Sequence, residues 1–144
     1  MVYFVDTSGL AKRYINEQGS LWVINWIAPA AGNIIIVSAI TSVEMFSVFA
    51  RREREKAISP GLARIVRNDF LFHLENEYLS IEIDSSILAK SRDLINTYPL
   101  RTLDALQLAC AIHAKTSLNA PIAFISADTN LLLAATTEGF ITDN

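Results

Sequence analysis

Four carboxylates stand at positions where a metal-dependent reaction or an acid–base reaction could be carried out. Asp6 directly follows the apolar run VYFV, and Asp128 follows a second short apolar run. Glu44 and Asp104 lie among apolar residues of segments with helical periodicity. A buried lone carboxylate is costly unless it is paired, hydrogen-bonded or bound to a metal. These four acids are therefore candidates for a site.

Each acid also has a purely structural interpretation. Asp6 and Asp128 could cap the helices that follow them, since carboxylates are favoured at helix N-termini. Asp104 could be favoured by the helix dipole in the first turn of its helix. Glu44 could complete a capping box with Thr41, which lies three residues earlier. The local patterns alone leave both interpretations open.

Strands and helices alternate along the sequence, which is typical of a parallel sheet covered by helices. The predicted strands are 2–5, 34–37, 79–83, 122–125 and a possible fifth at 140–142. The predicted helices are 7–15, a segment from 20 to about 28, and 41–56, 62–77, 85–98, 102–115 and 128–135. We expect one domain over residues 1–144, an α/β fold of three layers (α/β/α) with a central, mostly parallel sheet of four to five strands.

The predicted topology brings the four acids together. In a parallel sheet, strand C-termini and the N-termini of the following helices lie along one edge. A cluster of carboxylates repels itself unless cations neutralise it. Oxygen ligands without nearby cysteine or histidine favour Mg²⁺, or Mn²⁺, over zinc. Two such ions about 3.5–4 Å apart are a known arrangement for hydrolysing phosphodiesters.

Composition narrows the class of protein. Hydrophobic residues make up 51% of the 144 residues, so we expect a globular protein rather than a disordered one. No apolar run is long enough to cross a membrane, and the N-terminus has no signal-peptide pattern. The single cysteine, Cys110, lies in an apolar helical segment, which favours a buried thiol and a cytoplasmic location.

Four segments of the chain resemble the PIN-domain nucleases, and in particular the VapC-type toxins of toxin–antitoxin pairs. The segments are VYFVDTSGLAKRY, TSVEMFSV, LRTLDALQLACA and FISADTNLLLAA. The resemblance implies an acidic triad with a fourth acid, all able to act as metal ligands, and two supporting hydroxyls. These residues are Asp6, Glu44 and Asp104, then Asp128, and finally Ser8 and Ser126.

The resemblance also implies an activity and partners. Members of this family are metal-dependent endoribonucleases, so RNA is the expected substrate and Mg²⁺ or Mn²⁺ the expected cofactor. They form homodimers and are inhibited by an antitoxin, which often places an arginine or lysine near the acidic site. A homodimer is also suggested by the second helix, which carries more apolar residues than one face can bury, among them Leu21, Trp22 and Trp26.

An acidic site needs cations elsewhere to hold the phosphates of RNA. Lys12 and Arg13 lie within about two helical turns of Asp6, so we expect them to bind the substrate. The basic residues from Arg51 to Lys56 begin about two turns beyond Glu44 and are the second candidates.

Two other kinds of protein fit the same architecture less well. A receiver-like signalling domain could use Asp84 as its phosphorylated residue, but it also needs paired acids after the first strand and a lysine after a late strand. A phosphatase of the haloacid type needs an aspartate where Ser8 stands. A catalytically inactive interaction module would require all four acids to be simple caps.

Overall fold

The computed structural model describes residues 1–143 as alternating strands and helices. The strands are β1 (Val2–Val5), β2 (Ile34–Ser38), β3 (Tyr78–Ile81), β4 (Ala123–Ile125) and β5 (Ile141–Asp143). The helices are α1 (Thr7–Ala11), α2 (Ser20–Ile27), α3 (Thr41–Arg54), α4 (Pro60–Asn76), α5 (Ser85–Thr97), α6 (Thr102–Leu118) and α7 (Thr129–Thr137). The predicted order of elements is confirmed, including the fifth strand.

The five strands form one sheet in the order β3-β2-β1-β4-β5, and every neighbouring pair is parallel. β1 lies at the centre, where Phe4 is in register with Ile36 of β2 and Phe124 of β4. The β-branched and aromatic residues of these short strands suit a sheet that is covered on both faces. The predicted parallel α/β architecture is confirmed.

Successive side chains of the central strands enter two separate hydrophobic cores. Phe4, Ile36 and Phe124 pack with α5, α6 and α7 on one face of the sheet. Val5 and Ile125 pack with α1 to α4 on the other face. The alternation follows from the two-residue period of a β-strand, and it produces the three layers of the fold.

The sheet changes its direction of winding beside β1. The chain adds β2 and β3 on one side of β1 and then places β4 and β5 on the other side. In open parallel sheets such a switch point leaves a crevice beyond the carboxyl ends of the two strands involved. Here those strands are β1 and β4, and they lead directly into the segments 6–8 and 126–128.

The first helix is shorter than the sequence pattern predicts. We expected helical structure to continue to Ile15, but α1 ends at Ala11. The next four residues form tight turns, in which the backbone N–H groups of Lys12, Arg13 and Tyr14 donate to carbonyls three residues earlier. Residues 12–15 therefore continue to coil as the periodicity predicts, although the regular α-helix ends at Ala11.

Burial of single residues on α6 and α2 can be compared with the sequence pattern. Cys110 is buried, as predicted, and donates a hydrogen bond to Ser38 Oγ at 3.3 Å. On α2, Trp26 is buried whereas Leu21 and Ile24 are exposed. Within residues 1–143, no helix combines the length and the apolar character needed to span a membrane.

Candidate active site

Asp6 is buried at the end of β1 and is held by hydrogen bonds from two segments of the chain. Its Oδ1 accepts from the backbone N–H of Gly9 and from Ser8 Oγ, both at 2.8 Å, which makes it the N-cap of α1. Its Oδ2 accepts from Ser126 Oγ at 2.7 Å. The structural interpretation of Asp6 as a cap is therefore correct, but the contact with Ser126 goes beyond a cap.

The segments that follow β1 and β4 are joined directly. Ser8 Oγ accepts a hydrogen bond from the backbone N–H of Ala127 at 2.9 Å, and it lies 3.3 Å from Ser126 Oγ. A glycine at position 9 permits this close approach, because a Cβ there would lie 3.1 Å from the carbonyl oxygen of Ile125. Ser8 and Ser126, the hydroxyls selected from the sequence, both contact the Asp6 carboxylate.

Burial is the main electrostatic influence on Asp6. It raises the pKa of this carboxyl from 3.8 to about 6. The hydrogen bonds from Gly9, Ser126 and Ser8 lower the pKa, and the negative charge of Asp104 raises it. The protein thus holds a carboxylate whose charge its own donors do not fully compensate, which is the condition under which a cation would bind favourably.

Glu44 lies in the first turn of α3, but it does not form the capping box that the sequence allowed. The N-cap of α3 is Ile40, which makes no side-chain capping bond. Glu44 Oε1 instead accepts hydrogen bonds from Thr7 Oγ1 and from Gln107 Nε2, both at 2.9 Å. Thr41 is buried and accepts from Gln107 as well, so its hydroxyl also serves a tertiary contact.

Asp104 and Asp128 complete the acidic group. Asp104 lies in the first turn of α6, where the sequence placed it, and Asp128 caps α7 by accepting from the N–H of Leu131 at 3.0 Å. Burial raises the pKa of Asp104, and the negative charges of Asp128 and Glu44 raise it further, while Arg101 opposes the shift. Asp104 therefore lies within electrostatic range of both Asp128 and Glu44.

All four acids line one open cleft of about 760 Å³ at the carboxyl edge of the sheet. Ser8 lines the same cleft, whereas Ser126 is fully buried behind Asp6. The cleft also contains residues that the sequence did not suggest for the site. Among them are Thr7, Gln107 and Arg101. Gln107 could have been noticed, because it is an isolated polar residue in the apolar helix LDALQLACAI, three positions after Asp104.

The basic residues are distributed differently from what the sequence suggested. Lys12 and Arg13 do not line the cleft, whereas Arg51 and Arg52 do. Lys12 Nζ donates to the carbonyl oxygen of Gln18 at 2.8 Å. The sequence ranking of the two basic groups is therefore not supported by their positions.

Arg13 belongs to a half-buried polar cluster away from the acids. Its guanidinium donates to Glu77 Oε2 at 2.7 Å and to the Tyr78 hydroxyl at 2.6 Å. His73 packs against the same group and hydrogen-bonds Tyr14, and burial lowers the pKa of His73. This histidine belongs to a packing contact and lies outside the cleft.

The donor set of the cleft fits a hard divalent cation. The four acidic side chains offer oxygen atoms as metal ligands, and positive charge would relieve the mutual repulsion of the carboxylates. Within residues 1–143, however, no group of three or more His, Cys, Asp or Glu side chains is arranged so that it could hold a metal ion as a ligand cage. Mg²⁺ does not require such a cage, since it keeps several waters and binds through one or two carboxylates together with substrate phosphates. The charge of Asp104 raises the pKa of Asp6, so these two carboxylates lie within electrostatic range of each other.

The competing interpretations are not favoured by this geometry. Asp84, the candidate phosphorylation site of a receiver, caps α5 through Ile87 N–H and does not line the cleft. Ser8, which occupies the position of a phosphatase aspartate, is instead a hydrogen-bond donor to Asp6. Two acids are caps and two are not, so capping alone does not account for the cluster.

Three solved structures share this fold at low sequence identity. VapBC2 from Rickettsia felis, bound to a promoter DNA fragment, has a TM-score of 0.67 at 14% identity, covering 100% of this chain and 98% of the other. VapC20 from Mycobacterium tuberculosis, a sarcin–ricin loop cleaving toxin, has a TM-score of 0.65 at 13% identity, covering 97% and 96%. VapBC-1 from nontypeable Haemophilus influenzae has a TM-score of 0.61 at 15% identity, covering 100% and 98%.

The sequence itself assigns the family. A comparison with curated protein sequences gives no significant match. The profile of the PIN domain, in contrast, matches residues 3–136, which include all four acids and both hydroxyls of the cleft. The chain therefore belongs to the PIN domain family.

Proposed function

We propose that this protein is a divalent-metal-dependent endoribonuclease and the toxin of a toxin–antitoxin pair. One observation carries the proposal: four carboxylates from distant parts of a PIN domain line one cleft at the switch point of the sheet. Clustered carboxylates with oxygen-only ligands are the arrangement used for metal-assisted phosphodiester hydrolysis.

The acids and the two hydroxyls have different parts in this proposal. Asp6, Asp104, Glu44 and Asp128 act as the metal ligands and catalytic acids. Ser8 and Ser126 keep the Asp6 carboxylate in place through their hydroxyl hydrogen bonds. When bound, Mg²⁺ or Mn²⁺ supplies positive charge for the scissile phosphate and activates the attacking water. Asp6, which follows β1, and Asp104, in the first turn of α6, would hold the cation from two distant segments of the chain, and the open side of the cleft admits the substrate.

An RNA substrate is supported by the positive charges beside the acids. Arg51, Arg52 and Arg101 line the cleft together with the carboxylates. Arginine is well suited to phosphate because its planar guanidinium donates two parallel hydrogen bonds. Arg52 is also 3.4 Å from Glu17, which leaves Arg51 and Arg101 as the preferred phosphate contacts. RNA contact by Lys12 and Arg13 stays a prediction, now ranked second.

The proposed partners are a cognate antitoxin and a second copy of the chain. The antitoxin is supported by the structural relatives, which include VapBC pairs. A homodimer is supported by Leu21 and Ile24, which expose apolar surface on α2. We expect the protein in the cytoplasm, where the reducing conditions suit its single thiol.

Cleavage of RNA with and without divalent ions tests the proposed activity. We expect cleavage in Mg²⁺ or Mn²⁺, no cleavage in EDTA, and recovery when the ion is added back. Asp104→Asn should remove the activity, whereas Asp84→Asn, a change of the same chemistry at a helix cap outside the cleft, should retain it. Cleavage that persists in EDTA, or in Asp104→Asn, would refute the metal-dependent mechanism.

The toxin assignment needs a separate test. Induced expression of the wild-type chain in cells should arrest growth, and Asp104→Asn should not. Co-expression of a protein encoded beside this gene should restore growth if that protein is the antitoxin. A chain that cleaves RNA in vitro without affecting growth would be a stand-alone nuclease.

A further inference from the structure

Gln107 is a buried polar side chain that contacts three residues of the cleft. It lies one turn after Asp104 on α6 and is 2% exposed. Its Nε2 donates to Glu44 Oε1 at 2.9 Å, to Thr41 Oγ1 at 3.0 Å and to Thr7 Oγ1 at 3.2 Å. The four residues come from α1, α3 and α6, so these bonds join three separate helices.

The two oxygens of Glu44 are in different situations. Oε1 accepts one hydrogen bond from Gln107 and one from the Thr7 hydroxyl, both at 2.9 Å. No hydrogen bond reaches Oε2 within residues 1–143. The two donors fix the rotation of the Glu44 carboxylate, and Oε2 stays available to another partner. In a cleft that holds three further carboxylates, the fitting partner is a cation.

The amide of Gln107 is not satisfied on its other side. Its Oε1 is buried and has no hydrogen-bond partner among residues 1–143. A buried carbonyl without a partner destabilises the folded protein, because it loses its hydrogen bonds to water. An apolar side chain of the same shape would avoid this cost, so core packing alone does not explain a glutamine here. The N–H group that contacts Glu44 does explain it.

The position of Gln107 also links two acids. Asp104 and Gln107 are three residues apart on α6 and therefore lie on the same side of that helix. Gln107 thus sets the distance of Glu44 on α3 from the helix turn that carries Asp104. A rigid connection between ligand-bearing elements is the usual role of the residues surrounding a metal site.

We propose that Gln107 is a positioning residue, which holds Glu44 by Oε1 and thereby presents Oε2 to a divalent cation. The inference rests on the proposed metal-dependent function and extends it to a residue that is not itself a ligand. Thr7 acts with Gln107, because its hydroxyl supplies the second hydrogen bond to the same oxygen.

The test is a double-mutant cycle read out by Mn²⁺ binding in isothermal titration calorimetry. Gln107→Met keeps the length of the side chain and removes its donors. We expect it to weaken Mn²⁺ binding by about tenfold or more, the usual effect of losing a partner of a metal ligand. In a Glu44→Gln background the same change should have no further effect, because the carboxylate that it positions is absent. A role in packing alone would give equal effects in both backgrounds.

Three further variants control for general damage. Leu108→Ala truncates a buried residue in the core that α5, α6 and α7 form on one face of the sheet, and should lower the melting temperature without changing Mn²⁺ affinity. If circular dichroism shows that Gln107→Met is unfolded, Thr7→Val replaces it, since it removes the other bond to Oε1. Thr7→Ser, which retains the hydroxyl, should restore binding.

The outcomes separate this inference from the function on which it rests. Wild-type affinity in folded Gln107→Met, or in Thr7→Val, would overturn the positioning role while leaving the metal site intact. Equal losses in the wild-type and Glu44→Gln backgrounds would overturn it as well. If the wild-type protein binds no Mn²⁺, or if Glu44→Gln binds it normally, the proposed metal site has failed first.

Discussion

The hydroxyl of Ser126 donates a hydrogen bond of 2.7 Å to Oδ2 of Asp6, across 120 residues of chain. This contact joins the end of β4 to the end of β1 at the switch point of the sheet. Beside it, the backbone N–H of Asp6 donates a hydrogen bond of 3.0 Å to the carbonyl oxygen of Ile125. Asp6 is therefore held on both strands, and it remains 4% exposed although it faces a cleft.

Asp84 provides a comparison within the same chain. Each of Asp6 and Asp84 follows a strand and accepts from a backbone N–H three residues later. Each also accepts from a serine two residues later, at 2.8 Å for Ser8 and 2.7 Å for Ser86. Hydrogen bonds lower the pKa of the exposed Asp84, whereas burial raises that of Asp6. Burial, and not the capping pattern, distinguishes the two.

The first prediction concerns the stability of the metal-free protein. The pKa of Asp6 rises from 3.8 to about 6 on folding, so the folded protein binds this proton more tightly than the unfolded chain. The stability contributed by this group is present below pH 4 and is lost as the pH rises through about 6. Asp6→Asn should therefore increase the free energy of unfolding at pH 7.5 in EDTA, by about 1–2 kcal/mol after allowing for weaker hydrogen bonds. Urea unfolding measures this difference.

Asp84→Asn is the matched control for that measurement. The pKa of Asp84 is lowered in the folded protein, so its charge favours folding at neutral pH. The asparagine variant should be slightly less stable at pH 7.5 rather than more stable. If the free energy of unfolding changes in the same direction for both variants, burial is not the cause of the effect at Asp6.

The sequence predicted much of this site because the relevant information is local. Asp6 and Asp128 end strands, and Glu44 and Asp104 begin helices, so a parallel sheet places all four at one edge. Hydrophobic periodicity located those elements. The acids could thus be assigned to one cleft without knowledge of any single contact.

The remaining features depend on contacts between distant residues. Arg13 appeared available for RNA because its partner Glu77 is 64 positions away. The roles of Thr41 and Gln107 depend on a hydrogen bond across 66 positions. Local patterns place a residue on an element, but they do not identify the side chain that it meets across the core. Hence the capping box that the sequence allowed at Thr41 is absent.

The second prediction concerns the Ser126 hydroxyl. Ser126→Ala removes a donor that lowers the pKa of Asp6, so the pKa of that carboxyl should rise further above its usual range. We expect Mn²⁺ binding and RNA cleavage to weaken by about 10–100-fold, as for other residues that support metal ligands. Ser86→Ala removes the equivalent donor from Asp84 outside the cleft and should leave both measurements unchanged.

The third prediction compares the acids as catalytic groups. Removing a ligand should cost more than removing its supporting residue, which costs roughly 10–100-fold. Asp104→Asn and Glu44→Gln should therefore each lower kcat for RNA cleavage by more than Ser126→Ala does. Single-turnover assays at saturating Mg²⁺ measure the loss. Comparable rates for Ser126→Ala and Asp104→Asn would mean that Asp104 is not a ligand.

The fourth prediction concerns the Arg13 cluster as a structural feature. The Arg13 and Glu77 side chains are 12% and 15% exposed, and their charged atoms are 2.7 Å apart. Arg13→Ala should lower the free energy of unfolding by roughly 2–4 kcal/mol, because it leaves Glu77 largely buried without this partner. Arg67→Ala, which removes a more exposed pair with Glu53 at 3.5 Å, should cost at most about 1 kcal/mol. Equal losses in urea unfolding would show that Arg13 is not a structural anchor.

The last prediction identifies which cations hold the RNA backbone. Binding is measured with a cleavage-inactive Asp6→Asn variant in Ca²⁺, titrated across salt concentration. Each lost phosphate contact to a single strand reduces the slope of log K against log salt by about 0.7. Removing Arg51 and Arg101, which line the cleft, should therefore reduce the slope by about 1.4 if each contacts one phosphate. The double change Lys12→Ala, Arg13→Ala should reduce the slope less, because the Arg13 guanidinium is already bound to Glu77 and Tyr78.

Arg64→Ala with Arg92→Ala removes the same charge from exposed positions outside the cleft and controls for long-range attraction. An unchanged slope for the cleft pair, with a reduced slope for Lys12 and Arg13, would restore the ranking that the sequence suggested and place the RNA path along the turns that follow α1.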